Sequence, residues 1–119
     1  MAKRILIVDD DPNIVDYLTT LLQDHGYETS GALSGMEGLE IARSLKPDLI
    51  TLDLQMPQEW GPRFFRRLMQ ESELKHIPII VISGLSGAEY AIPKAVACLG
   101  KPFDPEALLR IVRERIGAP

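Results

Sequence analysis

The sequence predicts an α/β protein: a doubly wound, five-stranded parallel sheet with helices on both faces. Three observations carry that reading. Short apolar runs alternate with longer amphipathic stretches, strand then helix, five times along the 119 residues. The run at Pro78–Ile82 is apolar throughout, as expected for a strand covered on both faces. Helix-start signals follow the runs at short distance, as β–α connections require.

The elements follow in order. Ile5–Val8 reads as a buried strand. Asp11-Pro12 then opens a helix, with Asp as cap and Pro at the first helical position. Ile14, Leu18, Leu21 and Leu22 continue at helical spacing until Gly26. A short strand is expected near Tyr27–Ser30. Ser34 and Glu37 form a capping box for a second helix, with Leu39, Ala42 and Leu45 inward and Pro47 as its stop. Asp48–Leu52 is the third strand. The loop LQMPQEWGP leads into a helix with Phe64, Phe65, Leu68 and Met69 on its apolar stripe. Pro78–Ile82 is the fourth strand and ends at Ser83. Gly87 and Pro93 leave room for only a short helix after it. Ala95–Leu99 is expected as the fifth strand, and Asp104-Pro105-Glu106 caps a last helix carrying Leu108, Ile111 and Val112.

Bulk properties narrow the function. At this length the chain reads as one domain over residues 1–119. A net charge of −4 gives no general attraction to nucleic acid. The arginine clusters Arg63/Arg66/Arg67 and Arg110/Arg113/Arg115 read as solvated helix faces. The single cysteine, Cys98, excludes an intrachain disulfide. No apolar run approaches membrane-spanning or signal-peptide length, so a cytoplasmic protein without membrane contact is expected.

The chemistry shows at the strand ends. The first strand runs into Asp9 and Asp10, the third into Asp53, the fourth into Ser83, and the fifth toward Lys101. In a parallel sheet these ends share one edge, where ligands bind. Carboxylates brought together there repel unless a cation lies among them. Mg²⁺ suits such a set, because it takes few protein carboxylates and works with phosphoryl groups. Lys101 supplies a compact positive charge for phosphoryl oxygens, and Ser83 a neutral donor. A carboxylate can itself be the nucleophile, giving an aspartyl phosphate.

With these residues in place, the sequence resembles the receiver (CheY-like) domain of bacterial two-component response regulators. The resemblance covers essentially the whole chain. It rests on ILIVDDDP (5–12), DLQMPQEWG (53–61), IPIIVISG (77–84) and KPFDPEALL (101–109). It implies a flavodoxin-like sheet of order 2-1-3-4-5. Asp53 matches the phosphoacceptor, and Asp10 the direct Mg²⁺ ligand. Asp9 matches the partner that holds the ion largely through water, and the main-chain carbonyl of Gln55 the third protein ligand. Ser83 matches the switch hydroxyl. Lys101 matches the phosphoryl-binding lysine, which usually precedes a cis proline. Gly84 suits the small residue needed beside the site. Met56 belongs to the family loop and is expected to pack inward. The implied partners are a histidine kinase or histidine phosphotransfer protein as donor and a downstream protein as target. Such a domain catalyses only its own phosphorylation and dephosphorylation.

Departures from the family pattern fall on the face that transmits the signal. The interval from Ser83 to Lys101 is about one helical turn short, so the fourth helix is expected to be stunted or irregular. Cys98 stands where the aromatic switch residue normally sits, and reads as a small buried hydrophobe. Lys94-Ala95 replaces the usual Gly-Ala. Signal output is therefore expected through the segment after Ser83 rather than through an aromatic rotamer. Trp60 lies in the loop after Asp53, either exposed beside the site or packed on the loop. His25 and His76 have no metal-ligand partner at useful spacing and read as surface residues.

Other readings explain less. A phosphohydrolase of the haloacid-dehalogenase type would use Asp9 and Asp11 as its Asp-x-Asp motif. That reading gives Asp53-Leu-Gln-Met-Pro no purpose. A non-phosphorylated interaction module on the same fold would not need Asp10, Asp53, Ser83 and Lys101 together. The alternative that keeps them is a phosphate sink, in which phosphorylation is only a drain. No oligomeric state follows from the sequence.

Overall fold

The computed structural model describes residues 2–56, 60–84 and 95–119, with the backbone alone at Trp60 and Gly61. Its elements are β1 (Arg4–Val8), α1 (Pro12–Asp24), β2 (Glu28–Ala32), α2 (Gly35–Leu45), β3 (Leu49–Leu52), α3 (Trp60–Met69), β4 (Ile79–Ser83), β5 (Ala97–Gly100) and α4 (Pro105–Ile116). All strand pairs are parallel, and the sheet order is β2-β1-β3-β4-β5. The chain steps outward from β1 to β2, then returns past β1 to β3. That reversal opens a crevice at the carboxyl ends of β1 and β3.

Strand periodicity divides the core into two layers. Leu6, Val8, Ile50, Leu52, Ile79 and Val81 face one side of the sheet and pack with Leu39, Ala42, Phe64 and Leu68 of α2 and α3. Ile5, Ile7, Leu49, Ile80 and Ile82 face the other, against Leu18 and Leu22 of α1 and Leu108, Leu109 and Val112 of α4. Every residue of β3 and β4 is buried, and each fully buried Leu or Ile contributes about 1.5–3 kcal/mol. At Gly38 a Cβ would lie 3.0 Å from both Phe64 and Val8, so glycine there lets α2 settle onto β1 and α3.

The helix starts form as their sequences require. The Asp11 carboxylate accepts the Asn13 N–H at 2.9 Å and Asp104 accepts that of Glu106 at 3.0 Å, each with Pro following. Ser34 Oγ accepts the Glu37 N–H at 3.1 Å. The return half of the capping box differs: Glu37 Oε1 accepts from Leu33 N–H at 2.8 Å, one residue before the cap. β2 is an edge strand whose pairing ends at Ala32, so the Leu33 amide lacks a ladder partner and takes the carboxylate.

The strands depart from their expected spans by one or two residues, β2 and β5 the most. β2 begins after Tyr27, whose ring turns into the α1–α4 layer and whose hydroxyl donates to the Gly117 carbonyl at 2.9 Å. β5 runs two residues later at its start than Ala95–Leu99, because its register on β4 pairs Ile80 with Ala97 and Ser83 with Gly100. Four helices lie among the described residues. The expected stunted helix, with Pro93 and Lys94, falls at 85–94, outside them, as does the side chain of Trp60.

Candidate functional site

The polar strand ends meet where the register puts them. Val8 pairs with Leu52, and the Asp53 N–H donates to the Val8 carbonyl at 3.0 Å. Asp9 and Asp53 therefore stand side by side across the crevice. On the other flank the Lys101 N–H donates to the Ser83 carbonyl at 3.1 Å, which carries Lys101 just past the end of the β4–β5 ladder. The Lys101-Pro102 peptide bond is cis.

Carboxylate oxygens of Asp9, Asp10 and Asp53 lie within 4.8 Å of one another. Asp9 and Asp53 are each only 3 % exposed, whereas Asp10 is open to solvent. The Lys101 ammonium reaches in from β5, 2.9 Å from Asp9 Oδ2 and 3.6 Å from Asp53 Oδ1. Backbone amides hold the two buried carboxylates in place. Asp11 N–H donates to Asp9 Oδ1 at 2.9 Å, and Gln55 N–H to Asp53 Oδ1 at 3.1 Å.

Burial pushes the Asp53 carboxyl above the usual carboxylate range, and the charges of Asp9 and Asp10 push the same way. The Gln55 N–H and the Lys101 ammonium oppose them without prevailing. For Lys101 the balance is reversed. Burial draws it down, but the hydrogen bond and charge of Asp9, with those of Asp53, outweigh burial and hold it above its ordinary value. Among the described residues, one ammonium against three carboxylates leaves the cleft short of positive charge. Its donors are hard oxygens, and the residues present thus fit a hard divalent cation.

The remaining expected residues take their places around this centre. Ser83 is buried at the end of β4, beneath the exposed Gly84. A Cβ at Gly84 would lie 3.3 Å from Gln55 Oε1, so the third and fourth strand ends also approach through that side chain. Met56 packs inward against the α2–α3 layer, as its position in the loop suggested. Asp11 is the α1 cap and stands outside the carboxylate cluster. Cys98 lies on β5, half-buried against the same layer. His25 and His76 are exposed, and His25 Nδ1 bonds the Leu21 carbonyl at 2.9 Å.

Two features were not legible in the sequence. One is that Lys101 closes first on Asp9 rather than Asp53. The other is the ring contact between Tyr17 of α1 and Phe103 of the β5–α4 turn, with centroids 6.0 Å apart. Both join residues distant in the chain, and no local spacing encodes them.

Comparison with known proteins agrees with this geometry. Residues 5–113 match the family described as the response regulator receiver domain. Protein Rrf1 of Nitratidesulfovibrio vulgaris is 38% identical over 112 residues, which cover 94% of this chain and 81% of Rrf1. The polar-differentiation response regulator DivK of Brucella ovis is 31% identical over 121 residues, covering 98% of each chain. Among solved structures, the chemotaxis protein CheY4 of Vibrio cholerae superposes with a TM-score of 0.88 at 32% identity, covering 97% of this chain and 99% of its own. A response regulator from Chloroflexus aurantiacus superposes at 0.90 with 31% identity, covering 98% of each. Sheet order, strand-end chemistry and relatives agree: the chain belongs to the response regulator receiver domain family of two-component signalling.

Proposed function

We propose that this chain is a phosphoacceptor whose acceptor is Asp53. The observation that carries the reading is the convergence of Asp9, Asp10 and Asp53 within 4.8 Å, with the Lys101 ammonium 3.6 Å from the Asp53 carboxylate. In the transfer, an Asp53 oxygen forms a bond to phosphorus as the bond from phosphorus to a histidine nitrogen breaks, and the electron pair leaves with the imidazole. Gln55 N–H fixes the orientation of the acceptor carboxylate. Lys101 and the Ser83 hydroxyl receive the negative oxygens of the phosphoryl group.

Asp9, Asp10, Asp53 and the main-chain carbonyl of Gln55 would hold Mg²⁺. When bound, the ion supplies charge neutralisation between the carboxylates and the phosphoryl oxygens. The donor is a histidine kinase or histidine phosphotransfer protein, and the recipient of the signal a downstream protein that reads the segment after Ser83. The chain acts as one receiver unit over residues 1–119 in the cytoplasm. It performs only its own phosphorylation and dephosphorylation.

Intact mass spectrometry after incubation with Mg²⁺ and acetyl phosphate tests this. One added phosphoryl group is expected, absent without Mg²⁺ and absent in Asp53→Asn. An unmodified wild type under conditions where Mg²⁺ binds, and where a kinase donor also fails, would refute it.

A further inference from the structure

β2 leaves one edge of the sheet open. It is the outermost strand, and its register on β1 is unbroken from Arg4 opposite Glu28 to Val8 opposite Ala32. The Glu28 N–H donates to the Lys3 carbonyl at 2.9 Å, and the Ala32 carbonyl accepts the Asp9 N–H at 3.1 Å. Alternation along the ladder turns the main chain of Glu28, Ser30 and Ala32 toward β1 and that of Thr29 and Gly31 outward. Among the described residues, no main-chain group pairs with the outward N–H and C=O groups of those two. The usual protections of an edge are missing. β2 (ETSGA) contains no Pro, Lys or bulge, and its one charge, Glu28, is taken by Arg4 at 3.3 Å. Gln23 of α1 donates to the Thr29 hydroxyl at 3.0 Å, which keeps that side chain on the α1 face and off the edge. A cavity of about 450 Å³ lies beside the strand, lined by Gln23, Leu45 of α2 and Tyr27–Ser30, so the edge has room for a neighbour.

We propose that this edge is an interface for a second copy of the chain, the two β2 strands pairing antiparallel about a two-fold axis at Ser30. The pattern is self-complementary. Thr29 of one copy faces Gly31 of the other and the two exchange both N–H to C=O bonds, so every outward main-chain group of both strands is satisfied. Ser30 meets its own counterpart on the axis as a non-hydrogen-bonded pair. The side chains at the contact are small, so nothing holds the strands apart. The charge pattern suits the pairing as well: Glu28 lies opposite Ala32, about 14 Å along the strand from the other Glu28, and each Glu28 keeps its own Arg4. Five residues a side make a small contact beside the roughly 1,200–2,000 Å² of a stable complex, so the association is weak and concentration-dependent. The pairing requires neither a cation nor phosphorylation of Asp53.

The test uses the full chain without ligand. Sedimentation equilibrium at concentrations up to about 1 mM is expected to show an average mass rising toward that of a dimer. Thr29→Pro removes an outward donor and leaves every rung to β1 in place, since Pro is tolerated where the N–H faces away from the ladder. Association weaker by about tenfold or more is expected. In a Cys98→Ala background, which removes the one native cysteine, Ser30→Cys puts two thiols across the axis at disulfide spacing. Mild oxidation is expected to link them far faster than in Met36→Cys, at an exposed control position on α2. A wild type that stays monomeric throughout overturns the proposal and leaves the edge to a foreign strand. A dimer unchanged in folded Thr29→Pro overturns it as well, as does equal linking at positions 30 and 36. Where Thr29→Pro does not fold, the linking rates decide.

Discussion

Replacing Asp53 by Asn removes one of three carboxylates from a cleft that holds, among the described residues, a single ammonium. The amide keeps an oxygen for the Gln55 N–H, and Lys101 keeps its shorter contact, 2.9 Å to Asp9. What changes is charge: Asp53 loses repulsion from Asp9 and Asp10 and attraction to Lys101, a net of about one repulsive unit at under 4.8 Å. At an effective dielectric near 20 such a unit is worth about 3 kcal/mol. Water at the exposed Asp10 side and residual repulsion in the unfolded chain reduce it, so a gain of about 1–2 kcal/mol is expected. The corresponding rise in melting temperature is about 4–8 °C. The assay is urea and thermal unfolding of both proteins with EDTA present.

Asp53 has its folded-state pKa raised above the unfolded value. For such a group the stabilisation is complete below the unfolded pKa and is lost as pH rises through the folded one. The advantage of Asn is thus full only above the raised folded-state pKa and disappears in acid, below about pH 3.9, where the carboxyl is protonated in the folded and unfolded chain alike. Added Mg²⁺ is expected to favour the wild type instead. An Asn variant no more stable than wild type at pH 7 without metal, or one whose advantage does not change with pH, would refute the electrostatic account.

Packing predictions follow from the α2–α3 layer. Phe64 is fully buried there, and Phe64→Ala is expected to lose about 3–5 kcal/mol, read as a lower urea midpoint with Asp53 phosphorylation retained in the folded fraction. Gly38→Ala gains about 1 kcal/mol of helix propensity but sets a Cβ 3.0 Å from both Phe64 and Val8. Neither the buried ring nor the β-branched valine can move aside, and overpacking of this kind costs about 1–3 kcal/mol. A net loss of about 1 kcal/mol is expected, and a stabilised variant would show that α2 can shift.

Much of this molecule is written locally. The uninterrupted apolar strands Ile5–Val8 and Pro78–Ile82 require cover on both faces, and Asp11-Pro12, Ser34 and Asp104-Pro105 begin helices by short-range hydrogen bonds that their own side chains make. Those signals determine the alternation, and the alternation determines that the polar endings share one edge. From there the identities of Asp9, Asp10, Asp53, Ser83 and Lys101 are enough to read a cation and a phosphoryl group. The tertiary structure decided what no local signal carries. The edge position of β2 displaced that strand and redirected Glu37 to Leu33, because an amide beyond the ladder must find an acceptor. Register on β4 moved β5 along the chain. Above all, the fold chose which carboxylate receives Lys101. The strand ends bring Asp9 and Asp53 both within reach, and only the three-dimensional path of the lysine from the end of β5 sets 2.9 Å to one and 3.6 Å to the other. Sequence fixes which charges meet, and the distances at which they meet come from packing accumulated over the whole sheet.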